Sequence, residues 1–85
     1  MDNTLQAGRE MTFGEKAVGL TFNPSGDKKV QEVKELYAKI IDITLESAYR
    51  VDEENSKEKQ ALATEAVRQA QTAQMWAVKA ITYQF

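Results

Sequence analysis

The residues with the clearest chemical potential in this chain lie between Phe13 and Val30. This segment contains the turn sequence Asn-Pro-Ser-Gly at positions 23–26, a pair of lysines directly after it, and glycines on its N-terminal side. Backbone amides presented by a turn, the N-terminus of a following helix and lysine side chains together favour the binding of an anion. The segment therefore predicts a site for a phosphate-bearing ligand.

Composition excludes several other kinds of chemistry. The chain contains no cysteine and no histidine, which removes disulfides, thiolate nucleophiles, zinc sites built on those residues and catalytic dyads that need an imidazole. Carboxylate-only metal sites and lysine or tyrosine chemistry remain open, but no clustering of residues favours them. We therefore expect no enzymatic activity and no cofactor. The net charge of −2 argues against binding of duplex DNA, because such binders usually present a basic face.

Chain length and hydropathy indicate the organisation and location of the protein. A chain of 85 residues has room for one small domain. Its first residues lack the apolar stretch of a signal peptide, and no apolar run approaches the roughly 18 residues of a membrane span. We therefore expect a soluble, cytoplasmic protein with no membrane partner.

The elements that position the candidate site are predicted to be an arm, a binding segment and a long helix. Residues 1–12 are polar and aperiodic and predict a flexible arm, and residues 13–26 form the ligand-binding segment. Pro24 keeps the preceding residue out of helical geometry, so Ser25 or Asp27 can cap a first helix over residues 27–51. Apolar or small residues recur along this helix at helical spacing: Val30, Val33, Tyr37, Ile40, Thr44, Ala48 and Val51. Leu36, Ile41 and Leu45 widen this apolar face.

A second long helix is predicted over residues 56–83. Asn55 and Glu58 have the spacing of a capping box, and the acidic residues 52–54 form a short, solvated connection to the first helix. Two long helices joined in this way predict an all-α fold, an antiparallel two-helix hairpin in a single domain.

The composition of the second helix predicts self-association. Two sets of residues recur along it at helical spacing, the alanines Ala63, Ala66, Ala70, Ala73, Ala77 and Ala80 and a ridge formed by Leu62, Gln69, Trp76 and Tyr83. Residues 60–85 carry only three charged side chains, so a lone hairpin cannot cover all of this weakly polar surface. We therefore predict a homo-oligomer with the second helix near its centre.

Two separated blocks of the sequence resemble a known family. The sequences FGEKAVGLTFNPSGD, which starts at Phe13, and AQMWAVKAITYQF, at the end of the chain, resemble phage anti-CBASS sponges, whose hairpin domain is shared with anti-Thoeris sponges. The resemblance covers residues 12–85. It implies a homohexamer that sequesters cyclic di- and trinucleotide second messengers without degrading them, in the cytoplasm of the infected bacterial host, and so permits immune evasion.

The resemblance also implies two ligand sites. Phe13 stands where the family has an aromatic residue, usually tyrosine, that stacks on a base, and Lys28 stands where a lysine meets a phosphate. The implied cyclic dinucleotide site comprises Phe13, Gly14, Lys16, Asn23, Pro24, Ser25, Gly26 and Lys28. Arg68 and Thr72 match an arginine and a threonine of a second site, for cyclic trinucleotides, to which we assign Gln69 as well.

Simpler roles compete with these assignments. Phe13 alone is compatible with a place in the core, the turn at residues 23–26 with a purely structural role, and Arg68 with an ion pair to Glu65 or Asp52. For the whole chain, the main alternative is a small helical, oligomeric protein-interaction module with no nucleotide ligand. A phosphodiesterase is a weaker alternative, because the chain lacks histidine, cysteine and clustered metal-binding carboxylates.

Overall fold

The structure, a computed structural model, describes residues 9–49 and 56–84. These residues form three helices, α1 (Phe13–Ala17), α2 (Lys28–Ala48) and α3 (Ser56–Thr82), and contain no strand. The predicted all-α fold is therefore confirmed.

The bounds of α2 follow from its capping residues. Oδ1 of Asp27 accepts a hydrogen bond from the backbone amide of Lys29 at 2.7 Å, so Asp27 is the N-cap and the helix begins after it. The helix ends at Ala48, because Tyr49 leaves helical geometry with φ −110° and ψ 31°. It is thus shorter than the predicted span of 27–51, whose last two positions lie outside the described residues.

The third helix spans nearly the predicted range of 56–83. Its predicted cap, Asn55, and the acidic connection at 52–54 lie outside the described residues, as does the part of the predicted arm up to residue 8. The two long helices run antiparallel. Ile43, late in α2, lies beside Leu62, early in α3, whereas the start of α2 lies beside the end of α3. The described residues therefore form the predicted hairpin.

The core lies where the segment after α1 packs across the hairpin. Its buried residues come from all three parts of the fold: Val18, Leu20, Ala38, Ile41 and Val67. Burial of these apolar side chains is the main favourable contribution to folding. The N-terminal segment is therefore an integral part of the core and brings the candidate site against both long helices.

The buried face of α2 overlaps with the predicted one. The structure buries Val30, Ile41 and Ala48, which the prediction included, and also Lys34 and Ala38, which it did not include. Ile40, also predicted for this face, is 51% exposed, because the α1 segment covers Ala38 and Ile41 and leaves Ile40 on the uncovered side of the helix.

The alanine series of α3 is divided between two faces. Ala63 is buried and Ala70 packs against the core, together with Val67 and Gln74 on the same face. Ala66 and Ala80 are exposed. They lie on the adjacent face with the ridge of Leu62, Gln69, Trp76 and Tyr83, all of which are also exposed. One face of α3 thus packs within the chain, and its neighbour faces outward.

Residues 9–12 are tied to α1, unlike the flexible arm that the sequence predicts. Thr12 and Glu15 form a reciprocal capping box, and Arg9 makes an ion pair with Glu15 at 2.8 Å. Burial by itself would raise the pKa of Glu15, but the hydrogen bond from the Thr12 backbone amide and the contacts with Arg9 outweigh it and lower that pKa.

The molecule is thin and extended for its length. Its Cα radius of gyration is 14.7 Å, compared with ~12 Å for a compact chain of this size. Its largest dimension is 49 Å and its smallest is 13 Å. Among the described residues, no helix is long and apolar enough to cross a membrane.

Gly14 holds α1 against α2 and provides a test of this packing. Its amide donates a hydrogen bond to Oδ1 of Asp42 at 2.7 Å, and an added Cβ would collide with the carbonyl oxygen of Ala38. The gain of about 1 kcal/mol in helix propensity for Gly14→Ala is smaller than an overpacking cost of about 1–3 kcal/mol plus the weakened hydrogen bond. We expect a net loss of about 1–2 kcal/mol in the free energy of unfolding, measured by urea denaturation.

The matched control is Gly26→Asn. Gly26 also has a structural reason to be glycine, a φ of +68°, but nothing lies within 4 Å of an added Cβ, and asparagine tolerates left-handed geometry. Its effect should stay below about 1 kcal/mol. A Gly14→Ala variant as stable as the wild type would contradict the close contact of α1 with α2.

Candidate functional site

Two open grooves flank the N-terminal segment. The first, which we name the loop groove, has a volume of about 600 Å³ and lies between residues 16–25, the start of α2 and the end of α3. The second, the hairpin groove, has a volume of about 800 Å³ and lies between Phe13, the end of α2 and the middle of α3. Both volumes fall within the range of about 300–1,000 Å³ typical of small-molecule sites.

Lys34 is the central charged residue of the loop groove. Its side chain is only 6% exposed, and Nζ donates hydrogen bonds to the carbonyl oxygens of Gly19 at 3.0 Å and Phe22 at 2.5 Å. Burial lowers the pKa of Lys34, because desolvation penalises the charged form. An ammonium group has three N–H donors, so one donor remains beyond those that the two carbonyls accept.

The loop that supplies these carbonyls requires a glycine. Gly19 has a φ of +63°, a left-handed geometry that costs other residues roughly 1–2 kcal/mol. Its amide donates to the carbonyl of Lys16 at 3.1 Å, and the Phe22 amide donates to the carbonyl of Gly19 at 2.8 Å. The chain thus turns sharply, and the carbonyls of Gly19 and Phe22 both reach Lys34. The Phe22 ring is left 69% exposed on the groove.

The polar side chains of the predicted turn at residues 23–26 form hydrogen bonds within the turn and to Asp27, which follows it. The Asn23 side chain donates to the carbonyl of Asp27 at 3.0 Å, the Ser25 hydroxyl donates to Oδ1 of Asn23 at 2.8 Å, and the Asp27 amide donates to that hydroxyl at 3.1 Å. The Asp27 carboxylate also accepts a hydrogen bond from the Lys29 amide at the start of α2. These hydrogen bonds account for the turn structurally, and a ligand anion would have to compete with the Asp27 carboxylate for that amide.

The predicted dinucleotide residues fall into separate environments within one chain. Lys16, Asn23, Pro24 and Ser25 line the loop groove. Phe13, 58% exposed, lines the hairpin groove instead of the core.

The remaining members of that set lie outside both grooves. Gly14 is buried against α2, Gly26 lies in the exposed turn, and Lys28 is an exposed residue of the first turn of α2. Within a single chain, therefore, Phe13 and Lys28 do not share a pocket with the other residues predicted for the dinucleotide site.

Of the predicted trinucleotide residues, only Arg68 lines one of the two grooves, and Gln69 and Thr72 are exposed neighbours of it on α3. Arg68 lines the hairpin groove with Phe13, and the Thr72 hydroxyl donates to the carbonyl of Arg68 at 3.0 Å. Gln69 donates to the Glu65 carboxylate at 2.7 Å, and Arg68 forms no ion pair with Glu65 or with any other residue in the described ranges. Asp52, the other proposed partner, lies outside those ranges.

Phe22, Lys34 and Gln74 line the loop groove but were not among the site residues predicted from the sequence. Phe22 had no distinguishing signal, because its exposure depends on the turn at Gly19. Lys34 and Gln74 had a signal that could have been read. Each stands at helical spacing among buried apolar positions, Lys34 between Val30 and Ala38 and Gln74 one turn after Ala70.

The loop groove also differs from its surroundings in charge. Two lysines, Lys16 and Lys34, line it, and none of the described residues that line it carries a carboxylate. A third depression on the molecule is lined by four acidic residues, Glu15, Glu35, Asp42 and Glu46. In a chain with a net charge of −2, the loop groove is thus a local cationic site. No group of three or more potential metal ligands occurs among residues 9–49 and 56–84.

Comparisons of the chain with protein-family models, with curated proteins and with solved structures each found no match.

The pH dependence of stability tests the environment of Lys34. Replacement by methionine in Lys34→Met leaves the carbonyl of Phe22 without its Lys34 donor and the carbonyl of Gly19 with only the Phe22 amide as donor, which should cost about 1–3 kcal/mol at neutral pH. Since the folded state lowers the pKa of Lys34, the unfolded chain binds more protons between that lowered value and 10.5. The wild type should therefore gain stability relative to Lys34→Met as the pH rises through this window, and lose that gain as the pH falls.

Urea denaturation of both proteins at a series of pH values measures this difference. Lys39→Met, at an exposed position of the same helix, is the matched control. A difference between the wild type and Lys34→Met that stays constant across the window would contradict the burial of the charged amine.

Proposed function

We propose that this protein sequesters cyclic di- and trinucleotide second messengers without degrading them and thereby blocks CBASS-type anti-phage signalling in the cytoplasm of an infected bacterial host. The observation that carries the proposal is the loop groove, which combines two lysines, an exposed aromatic ring and no carboxylate in an otherwise acidic chain. The sequence resemblance to phage anti-CBASS sponges supplies the class of ligand.

The groove offers the two kinds of contact that a cyclic dinucleotide needs. The remaining N–H donor of Lys34 and the side chain of Lys16 can meet phosphate oxygens, and hydrogen bonds between charged groups are stronger than neutral ones. The open face of Phe22 can stack on a base, a contact worth about 1–3 kcal/mol. Phe13 and Lys28, which the resemblance assigns to the ligand, lie outside this groove, so the proposal requires them to come from a second subunit.

The hairpin groove supports a second site for cyclic trinucleotides. Arg68 lies in it without an ion pair to any described residue, beside the aromatic side chains of Phe13 and Tyr49. Thr72 and Gln69 lie on the same side of α3, where their side chains bond to the helix itself and to Glu65. Glu46 also lines this groove. A guanidinium can bind a phosphate through two parallel N–H donors, so Arg68 is the residue of this groove that would bind one.

The uncovered surface of the hairpin supports a homo-oligomer, and the resemblance specifies a hexamer. Domains are usually built from at least two packed layers, whereas in the described residues only the short α1 segment packs across the two long helices. On the outward face of α3, Leu62 is 61% exposed and Trp76 is 65% exposed. Packing of this face against another copy would supply the second layer and bring segments of different subunits together.

Sequestration without degradation also fits the absence of histidine and cysteine from the sequence. Without histidine or cysteine, the chain lacks the side chain that most often acts as a general base and the thiolate nucleophile. A sponge needs only high affinity, slow dissociation and abundance. Binding alone is therefore sufficient for the proposed biological effect.

Native mass spectrometry with a panel of cyclic di- and trinucleotides tests the proposal. The protein should take up both classes of ligand as an oligomer and return them intact after heat denaturation. Altered ligands would indicate an enzyme. An oligomer that binds none of the nucleotides would instead favour a protein-interaction module, which the exposed apolar face of α3 also supports.

Lys28→Ala and Arg68→Ala separate the two proposed sites, and Phe13→Ala tests the stacking role that the resemblance assigns to Phe13. Phe13→Ala and Lys28→Ala should each weaken cyclic dinucleotide binding by at least about 10-fold, because each removes a stacking or charged contact of over 1 kcal/mol. Arg68→Ala should weaken trinucleotide binding by a similar factor and leave dinucleotide binding unchanged. Isothermal titration calorimetry measures these affinities, with Lys57→Ala as the control for loss of an exposed lysine. Equal loss of both ligands in Arg68→Ala would contradict the two-site arrangement.

Substitution of Trp76 tests the proposed assembly. A charge on the outward face in Trp76→Glu should be unfavourable in a subunit interface, since burial of an unpaired carboxylate costs several kcal/mol. We expect a smaller species by size-exclusion chromatography with light scattering, with unchanged helical circular dichroism because Trp76 is exposed within the chain. Lys79→Glu changes an exposed residue of the same helix and serves as the control. An oligomer unaffected by Trp76→Glu would exclude this face from the interface.

A further inference from the structure

Tyr49 is an exposed aromatic residue of the hairpin groove, and the sequence resemblance assigns it to no ligand. It is 54% exposed and lines the groove where α2 ends. As the C-cap of α2 it leaves helical geometry, but its amide still donates to the carbonyl of Leu45 at 3.1 Å. Tyr49 is therefore fixed to the end of the helix while more than half of its surface stays open.

The proposed trinucleotide site needs an aromatic residue in its own groove. Arg68 lines the hairpin groove, whereas Gln69 and Thr72 do not. An arginine supplies contacts to phosphate, but recognition of unpaired nucleotides also relies on stacking of their bases on aromatic rings. Phe13 lines the groove as well, but the proposed dinucleotide site assigns it to the ligand of another subunit. Tyr49 is thus the aromatic residue of this groove that remains for a base of a trinucleotide.

The charges of the groove determine which of its sides suits a phosphate. Arg68 lies on the α3 side, and Glu46 lies on the α2 side, one turn before Tyr49. A phosphate is attracted by the guanidinium and repelled by the carboxylate, whereas a nucleobase is uncharged at neutral pH. A nucleotide in this groove is therefore oriented with its phosphate towards α3 and its base towards α2, where the Tyr49 ring lies.

The walls of the hairpin groove are held by packing and by a hydrogen bond. Leu45, one turn before Tyr49, packs against the core to which Val67 belongs, and both residues line the groove. Gln71 also lines it and donates its side-chain amide to the carbonyl of Ala17 at 3.1 Å. The stacking surface thus stands on elements that are already fixed before a ligand arrives, which lowers the ordering cost of binding.

We infer that Tyr49 is the base-stacking residue of the hairpin groove and binds one base of a cyclic trinucleotide whose phosphate contacts Arg68. The inference rests on the proposed nucleotide-binding function and adds to it a ligand-binding residue outside the set that the resemblance implies. Every nucleobase has a π-face, so this contact requires a base without selecting which one. Loss of a stack worth about 1–3 kcal/mol corresponds to roughly 5- to 150-fold in affinity.

Isothermal titration calorimetry with cyclic tri-AMP and cyclic di-AMP tests this role. Tyr49→Ala should weaken cyclic tri-AMP binding at least about 5-fold, because the stacking contact is lost. Tyr49→Phe keeps the ring and should bind within about 2-fold of the wild type, whereas Tyr49→Leu keeps only an apolar side chain and should bind at least about 3-fold more weakly. Cyclic di-AMP binding, which is proposed for the loop groove, should stay unchanged in all three variants.

Phe22→Ala is the matched control, because it removes an exposed aromatic ring from the loop groove and should weaken binding of cyclic di-AMP but not of cyclic tri-AMP. Circular dichroism and size-exclusion chromatography with light scattering verify that each variant keeps its fold and assembly.

Three results would overturn the role of Tyr49 while leaving sequestration standing. They are unchanged cyclic tri-AMP binding in Tyr49→Ala, a loss in Tyr49→Phe as large as that in Tyr49→Ala, and equal loss of both ligands. A wild type that binds cyclic di-AMP alone would overturn it too. Absence of any cyclic nucleotide binding by the wild type would overturn the proposed function as well.

Discussion

The contact between the Lys34 ammonium and the carbonyls of Gly19 and Phe22 is the interaction on which the rest of this structure depends. It joins α2 to the loop after α1 at a point where the amine is almost completely buried. A buried ammonium is costly unless oxygen atoms surround it, so the loop must turn its carbonyls inward. The same contact leaves the Phe22 ring outside and brings a positive charge to the base of the groove.

The position of this loop also determines which surface of the hairpin is buried and which is exposed. Val18 and Leu20 cover the central part of α2 and bury Ala38 and Ile41. Because they cover one side only, the apolar residues of the opposite side, such as Ile40 and Trp76, stay exposed. A single layer of helices cannot bury both surfaces, and this physical limit connects the fold with the proposed oligomer.

Some features of the candidate site arise from residues that are neighbours in the sequence, and others arise from contacts between distant residues. The turn at residues 23–26 and its hydrogen bonds arise from neighbouring residues, and both the turn and the Asp27 cap were predictable from the sequence. The composition of the loop groove was not predictable in the same way. Lys34 and Gln74 are separated by forty positions and come together only because α2 and α3 run antiparallel and the loop between α1 and α2 lies across them.

The sequence by itself determined the all-α fold, the limits of the long helices to within a few residues and the candidate segment at 13–26, because these features depend on helical periodicity, capping and turn residues. It could not determine which face of each helix is buried, since several apolar stripes compete on both α2 and α3. Tertiary structure decided that competition: the α1 segment covers Ala38 and Ile41, and Ile40 is left exposed. It also separated Phe13 from Lys16 and buried most of Lys34 and Gln74 beside one groove, because side chains distant in sequence meet only when the helices pack.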